Sequence, residues 1–363
     1  MTTEEFRAEW SSHLDSAASE EIRESRFVHV PANCPPWTAS GIELALGEQV
    51  SIFATGRAWL ASNSAAWQDS HFALWFRIGG KAPIFRASRG PRTFVVRQAG
   101  ELEMANIFPT MWADESGAVA ATAELFQRAA GGFDVLVIRW RRDAQAGLAQ
   151  LARGSAHCTR IAAGELAAVR QPPHPPSGWN YLWMVGESDV FSEVERGVIR
   201  CDVADEAAIL QKPVSAPFDS DTHLGWSWKI DSLPATGEES SLSNHDYLSI
   251  AVEFDNGRDL TYFWSAALAP ETSFHCPVSM WRGRETHLVV RSGNSDLGRW
   301  MKEKRNLWND YAKAIGGPPP SRIVAVWLIA VSNFRHGRAR CEYRDLELIN
   351  AGGTRTLVTA LSE

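Results

Sequence analysis

The 363-residue chain is short of features that would assign it at a glance. Cysteine is scarce: Cys34, Cys158, Cys201, Cys276 and Cys341 are odd in number, widely scattered and never in CxxC spacing. Neither a disulfide scaffold nor a zinc ribbon is indicated. No GxGxxG or GxxxxGKS/T occurs, so a nucleotide cofactor lacks support. The ten histidines form no HxH or HExxH pair, and the expectation is no transition-metal site. "FDSDTH" at 218–223 alternates acids but lacks the glycine and distal glutamate of a calcium loop. "GNSDLG" lacks GxSxG spacing, and its Ser295 reads better as a helix cap. Positive charge is not in excess: 36 Lys and Arg face 43 Asp and Glu, a net charge of −7. That balance argues against nucleic acid, although basic and aromatic residues interleave briefly in "WRGRETHLVVR". No apolar run is long enough to span a membrane, and the opening "MTTEEFRAEW" has no apolar secretory core. The expected location is cytoplasmic, with no membrane partner.

What is present is an ordinary globular composition, 45% hydrophobic and 22% charged. The length exceeds what one compact core usually serves, so two domains are expected. Sixteen tryptophans against five tyrosines is a skewed ratio. Indoles either fill cores or stack on flat and sugar-like ligands.

Residues 1–26 read as an amphipathic helix. Short strands with turn punctuation follow to residue 140, among them "RFVHV", "FALWFRIGG" and "FDVLVIRW". "AVAATAELFQRAAGG" reads as a helix inserted between two of them. The Ala-rich stretch after residue 140 is helical in composition and ends in the proline cluster "QPPHPPSG", so 141–178 reads as a linker. From 179 to 363 the strand pattern resumes. One helix interrupts it, "NSDLGRWMKEKRNLWNDYAKAIGG", capped by Asn294 or Ser295 and closed at Gly316. The expected fold is mainly β: two β-sandwich, jelly-roll-like domains (27–140 and 179–363) joined by a helical segment, after an N-terminal helix.

The stretch "WTASGIELALGEQVSIFATGRAWL…HFALWFRIG" resembles the calcium-dependent galactose-binding lectins of bacteria, over about residues 35–138. The shared positions are framework: Trp37, Gly41, Ile42, Gly47, Val50, Gly56 and Arg77-Ile78-Gly79. The resemblance implies a jelly-roll sandwich. Where those lectins carry a calcium-binding aspartate this chain has Ile107, and Leu60 stands at a sugar-contacting aromatic position, so calcium and galactose sites are not carried over. Asp114 and Glu115 could still hold a cation, but two acids on a loop are usually just solvated, so no cofactor is expected and calcium is left without support. From about Trp226 to Leu348, the segments "WSWKIDSLP", "HDYLSIAVEF", "VVRSG" with "LGRWMKEKRNLWNDY", and "IVAVWLIAVSN" resemble the bacterial family known as domain of unknown function 3047. That resemblance implies a sandwich shaped like carbohydrate-binding modules and brings no activity.

The stretch "HDYLSIAVEFDNGRDLTYFWS" reads as a β-hairpin. Alternation puts Leu248, Ile250, Val252 and Phe254 on one face, toward a core. Taking Asn256-Gly257 as a two-residue turn pairs Asp255 with Arg258, which sets Ser249 opposite Trp264, Ala251 opposite Tyr262 and Glu253 opposite Leu260. The outer face would then carry Tyr247, Ser249, Glu253, Tyr262 and Trp264, with His245 and Asp246 at its entrance. Aromatic faces, small spacers and carboxylates suit a polar ring-shaped ligand, unless another element covers them. In "RETHLVVRSG", Glu285, His287 and Arg291 share one strand face, with Arg284 beside them. They line a cleft or form a salt network. On the expected helix, Leu297, Trp300, Leu307, Trp308, Tyr311 and Ile315 form an apolar stripe bordered by Glu303 and Asp310.

Two functions fit. One is an enzyme of hydrolase or lyase type, without an organic cofactor, acting on a sugar-like or aromatic small molecule. His245, Asp246, Glu253, His287, Glu303 and Asp310 would be its acid–base candidates. Tyr247, Tyr262, Trp264, Arg284, Glu285 and Arg291 would bind its substrate. The other is a non-catalytic carbohydrate-binding protein. The charge density around the aromatics tilts the sequence reading to the enzyme; the partner in either case is a small molecule or glycan. The oligomeric state is open.

Overall fold

A computed structural model describes the chain except residues 1, 18–19, 35–36, 64–65, 88–89, 109–110, 121, 354 and 360–363. Two compact units divide between Pro173 and His174, within the proline cluster. The fold is mainly β in both. Among the described residues no helix is long and apolar enough to cross a membrane.

In the first unit, "FDVLVIRW" shows how one run serves two layers. It lies in the strand Ala130–Trp140, which pairs with Ile22–Pro31 on one side and Gln49–Trp59 on the other. Phe133, Val135 and Val137 face a second sheet built from Thr38–Leu44, Gly100–Asn106, Leu74–Ile78 and Phe85–Arg86. The alternate residues Leu136, Ile138 and Trp140 face helices. A strand covered on both faces reads as a continuous apolar run, as Val135–Ile138 does here.

Those helices are Thr3–Ala17, Ala144–Leu151 and His157–Arg170. The Ala-rich stretch expected to be a linker therefore packs on the first sheet through Leu148, Leu151, Cys158 and Ala162, and belongs to the first unit. The N-terminal helix ends at Ala17 instead of running to residue 26, because Ile22 begins a strand with a partner. The inserted helix is only Ala123–Gln127. Gly131 and Gly132 do not end it but sit inside the strand, where a Cβ on Gly131 would meet the Arg57 carbonyl oxygen at 2.3 Å. Pro109 and Thr110 of the loop before Asp114, and Ala121 of the insert, lie outside the described residues.

The second unit is a sandwich of a seven-stranded and a six-stranded sheet. The larger sheet runs Asn180–Tyr181, Ala207–Pro217, Arg322–Val331, Tyr247–Phe254, Asp259–Ser265, Glu285–Ser292, Ser273–His275. The smaller holds Phe191–Glu195, Val198–Ala204, Arg338–Ile349, His223–Ser232 and Met301–Asn306, with Arg355–Leu357 beside Arg338–Ile349. One pairing in the larger sheet is parallel, Asp259–Ser265 with Glu285–Ser292, so residues 266–284 form a crossover between them.

The long helix expected from residue 294 is a correction. Met301–Asn306 is a strand pairing with His223–Trp228, and the helix is Leu307–Ala314. Gly298, at φ +75°, precedes the strand. Asn306 caps the helix, accepting from the Asn309 amide at 2.8 Å, and the Gly316 amide closes it on the Tyr311 carbonyl. Leu307 and Tyr311 enter the core as the apolar stripe requires, but Glu303 belongs to the strand and Asp310 to the helix.

Candidate functional site

The hairpin turn decides which side chains reach the outer face. Phe254 bonds Arg258, and the Gly257 amide donates to the Phe254 carbonyl at 3.0 Å, so the loop holds three residues. Gly257 takes φ +76°. A tight turn followed by a left-handed glycine is the usual three-residue hairpin closure. The extra residue slips the pairing by one: Ser249 faces Phe263, Ile250 faces Tyr262, Ala251 faces Thr261 and Glu253 faces Asp259. A one-residue slip turns every side chain over. Tyr262 and Trp264 are therefore in the sandwich core with Leu248, Ile250 and Val252, and the expected stacking platform is absent from the outer face.

Core burial gives both aromatics internal partners. The Tyr262 hydroxyl donates to Asp310 Oδ2 at 2.8 Å, and Arg305 grips the same carboxylate at 2.7–2.8 Å. The Trp264 Nε1–H donates to the Gly293 carbonyl at 2.9 Å. Arg291 pairs with Glu303, which also accepts from Trp228 Nε1–H at 3.3 Å. These groups form a salt network about the core edge.

The outer face holds a different set. Glu253 accepts from Arg284 at 2.7 Å, Trp327 at 3.1 Å and Gln211 at 3.3 Å. Asp259 lies 3.4 Å from Arg284 Nε and accepts from the Thr261 hydroxyl at 3.1 Å. Burial, then the neighbouring Glu285, pushes the Asp259 carboxyl well above the ordinary range. Asp246 accepts the Phe334 and Arg335 amides at 3.0 and 2.7 Å, anchoring a loop. Burial still raises its carboxyl.

Next to these, His245, Cys276, Glu285 and His287 converge. One ligand-type atom from each lies within 4.8 Å of all the others, and all four residues are buried. Glu285 and His287 come from one strand face at E-x-H spacing, which alternation brings together. Cys276 comes from the crossover and His245 from the approach to the hairpin. Tyr247 donates its hydroxyl to Glu285 Oε1 at 3.0 Å. His287 Nε2 stands 3.3 Å from the same oxygen, yet neither of its ring nitrogens makes a hydrogen bond. Phe274 stacks on the His287 ring at 4.9 Å and 6°. Burial, then the charge of His287, pushes His245 down to about 4. Burial opposes the Glu285 carboxylate, but His287 and His245 hold it ionised, below the ordinary range.

Of the residues named from sequence, the structure brings together His245, Tyr247, Glu253, Arg284, Glu285 and His287 about this face. It leaves Tyr262, Trp264, Arg291, Glu303 and Asp310 elsewhere. Cys276, Asp259 and Thr261 were not anticipated. No spacing could reveal Cys276, because its neighbours come from segments that only the crossover joins.

Beside the cluster an open pocket of about 300 Å³ is lined by Arg258, His275, Arg282, Gly283, Arg284, Thr286 and Ile315. The Thr286 hydroxyl and His275 Nδ1 are 3.3 Å apart. Among the described residues Arg258 and Arg282 pair with no carboxylate, whereas Arg284 has two.

Residues 178–347 match the model of a family described as "Protein of unknown function (DUF3047)". No curated protein matches the chain. Among solved structures, the chain is similar to the PllA-like lectin N-terminal domain of EclA at 21% identity and TM-score 0.25, covering 33% of this chain and 98% of that one. The xyloglucanase domain of NopAA from Sinorhizobium fredii, in complex with cellobiose, matches at 10% identity and TM-score 0.31, covering 51% and 96%. A family 11 carbohydrate-binding module of Lic26A-Cel5E from Clostridium thermocellum matches at 8% identity and TM-score 0.23, covering 51% and 90%.

Proposed function

We propose that the second unit binds an anionic, hydroxyl-bearing small molecule, of the sugar-acid class, in the pocket of Arg258, Arg282 and Arg284. The observation that carries this reading is that Arg258 and Arg282 stand at one pocket without acidic partners, in a protein of net charge −7. Guanidinium groups match carboxylates through paired N–H donors. His275 and Thr286 supply hydroxyl-binding groups, and Ile315 is the single apolar side chain in the lining. Such a lining suits a ligand that is polar on most sides. The volume suits a single sugar ring.

Binding is favoured over catalysis because acid–base cleavage needs an acid and a base flanking the substrate. The pocket lining offers His275 alone. Glu253 and Asp259 are engaged behind Arg284.

Calorimetry on the full chain with glucuronate, galacturonate, glucose and galactose tests this. A uronate should bind, and Arg258→Ala or Arg282→Ala should weaken it by about tenfold, the loss of one charged hydrogen bond. Equal binding of neutral sugars, or unchanged affinity in both variants, overturns the reading. Product detected by mass spectrometry would return the site to the enzyme class.

A further inference from the structure

The cluster of His245, Cys276, Glu285 and His287 shares no lining residue with the basic pocket and has its own chemistry. We infer that these four residues form a closed, structural zinc site. Its ligands would be His245 Nε2, Cys276 Sγ, a Glu285 carboxylate oxygen and a His287 ring nitrogen.

The donor set selects the metal. One thiolate, two imidazoles and one carboxylate are zinc ligands, whereas calcium and magnesium take oxygen. Bond lengths of about 2.0–2.3 Å place tetrahedral ligand atoms roughly 3.3–3.8 Å apart. The four atoms here lie within 4.8 Å of one another, and Cys276 Sγ is already 3.3 Å from His245 Nε2. A side-chain adjustment of about 1 Å closes the remainder on the metal.

The surroundings are those of a metal centre. His245 Nδ1 sits 2.8 Å from the Glu239 carbonyl, which can only accept. The ring proton is therefore on Nδ1, and Nε2 presents its lone pair to the cluster. Tyr247 bonds Glu285 in the same supporting manner. His287 is wholly buried; its Nε2 faces Glu285 Oε1 at 3.3 Å, and its Nδ1 finds no hydrogen-bond partner. Buried polar atoms without partners are rare, and an ion is one of the few explanations. Phe274, Tyr247 and Phe263 pack around the His287 ring and exclude water.

Charge balances as well. Zn²⁺ with one thiolate, one carboxylate and two neutral imidazoles is neutral, so no net charge is buried. On binding, Cys276 forms an S–Zn bond and releases its thiol proton to solvent, as does any protonated imidazole. Four protein ligands leave no open position for water or substrate, which makes the site structural. It would pin the crossover at Cys276 to the strand carrying Glu285 and His287 and to the hairpin approach at His245.

The test uses the full chain. Elemental analysis of the purified protein should give about one zinc per chain. Zinc-edge X-ray absorption should show one sulfur and three nitrogen or oxygen neighbours. Replacing zinc by Co²⁺ should produce the thiolate-to-cobalt absorption band. That band should be lost in Cys276→Ser and kept in Cys34→Ser, whose cysteine is exposed. Absence of both zinc and any cobalt–thiolate band overturns the inference, as does a band that persists in Cys276→Ser. Should Cys276→Ser fail to fold, the absorption shell of the unmodified chain decides: a shell without sulfur, or with more than one, overturns it.

Discussion

Tyr262 shows how much one side chain's direction matters. On an outer face it would be a ligand platform whose loss spares the fold. In the core, its hydroxyl satisfies the buried Asp310 carboxylate. Burial, then the charge of Asp310, pushes that phenol well above its ordinary range, so it remains a donor. Tyr262→Phe keeps the ring and removes the donor. It should cost about 1.5–3 kcal/mol, the worth of a hydrogen bond to a charged group, and leave uronate affinity unchanged. Urea unfolding and calorimetry on the same variant check both halves. Lost affinity at unchanged stability would return Tyr262 to a binding role. The residue type was readable as aromatic and strand-borne; its direction depended on register.

The hairpin and the strand after it locate the two places where local pattern and structure part. Alternation correctly separated Leu248, Ile250, Val252 and Phe254 from Tyr247, Ser249, Ala251 and Glu253 on the first strand. The second strand is reversed in the structure because Asn256-Gly257 do not hold both central positions of a two-residue turn. Asp255-Asn256 make the turn, and Gly257 adds a left-handed third residue. Gly257→Ala should therefore cost about 1–2 kcal/mol from backbone strain alone, since a Cβ there meets nothing within 4 Å. A thermal-melt series on this variant and Gly47→Ala, at φ +83° and equally open, should give similar shifts. A shift in Gly47→Ala only would argue against the three-residue turn. Met301–Asn306 failed for another reason. Its sequence is helix-compatible, and only pairing with the distant His223–Trp228 makes it a strand.

At the scale of the molecule, the second unit carries its own core, from Trp179 to Val358, sealed between two sheets. A chain of residues 174–363 should fold alone, with β-type circular dichroism and a single cooperative thermal transition. A non-cooperative melt would show that the unit depends on the first. The first unit extends further than composition suggested, because the Ala-rich helices find an apolar face at Leu136, Ile138 and Trp140.

The sequence by itself determined the class of fold and, on Tyr247–Phe254, which side chains share a face, because period-2 burial is a local property of each segment. It also paired Glu285 with His287, two residues apart on one strand. Tertiary structure alone decided the hairpin register, the strand at 301–306 and the arrival of Cys276 and His245 beside that pair. Those features depend on a loop of one extra residue and on a crossover between parallel strands. Both act over distances that no local spacing records.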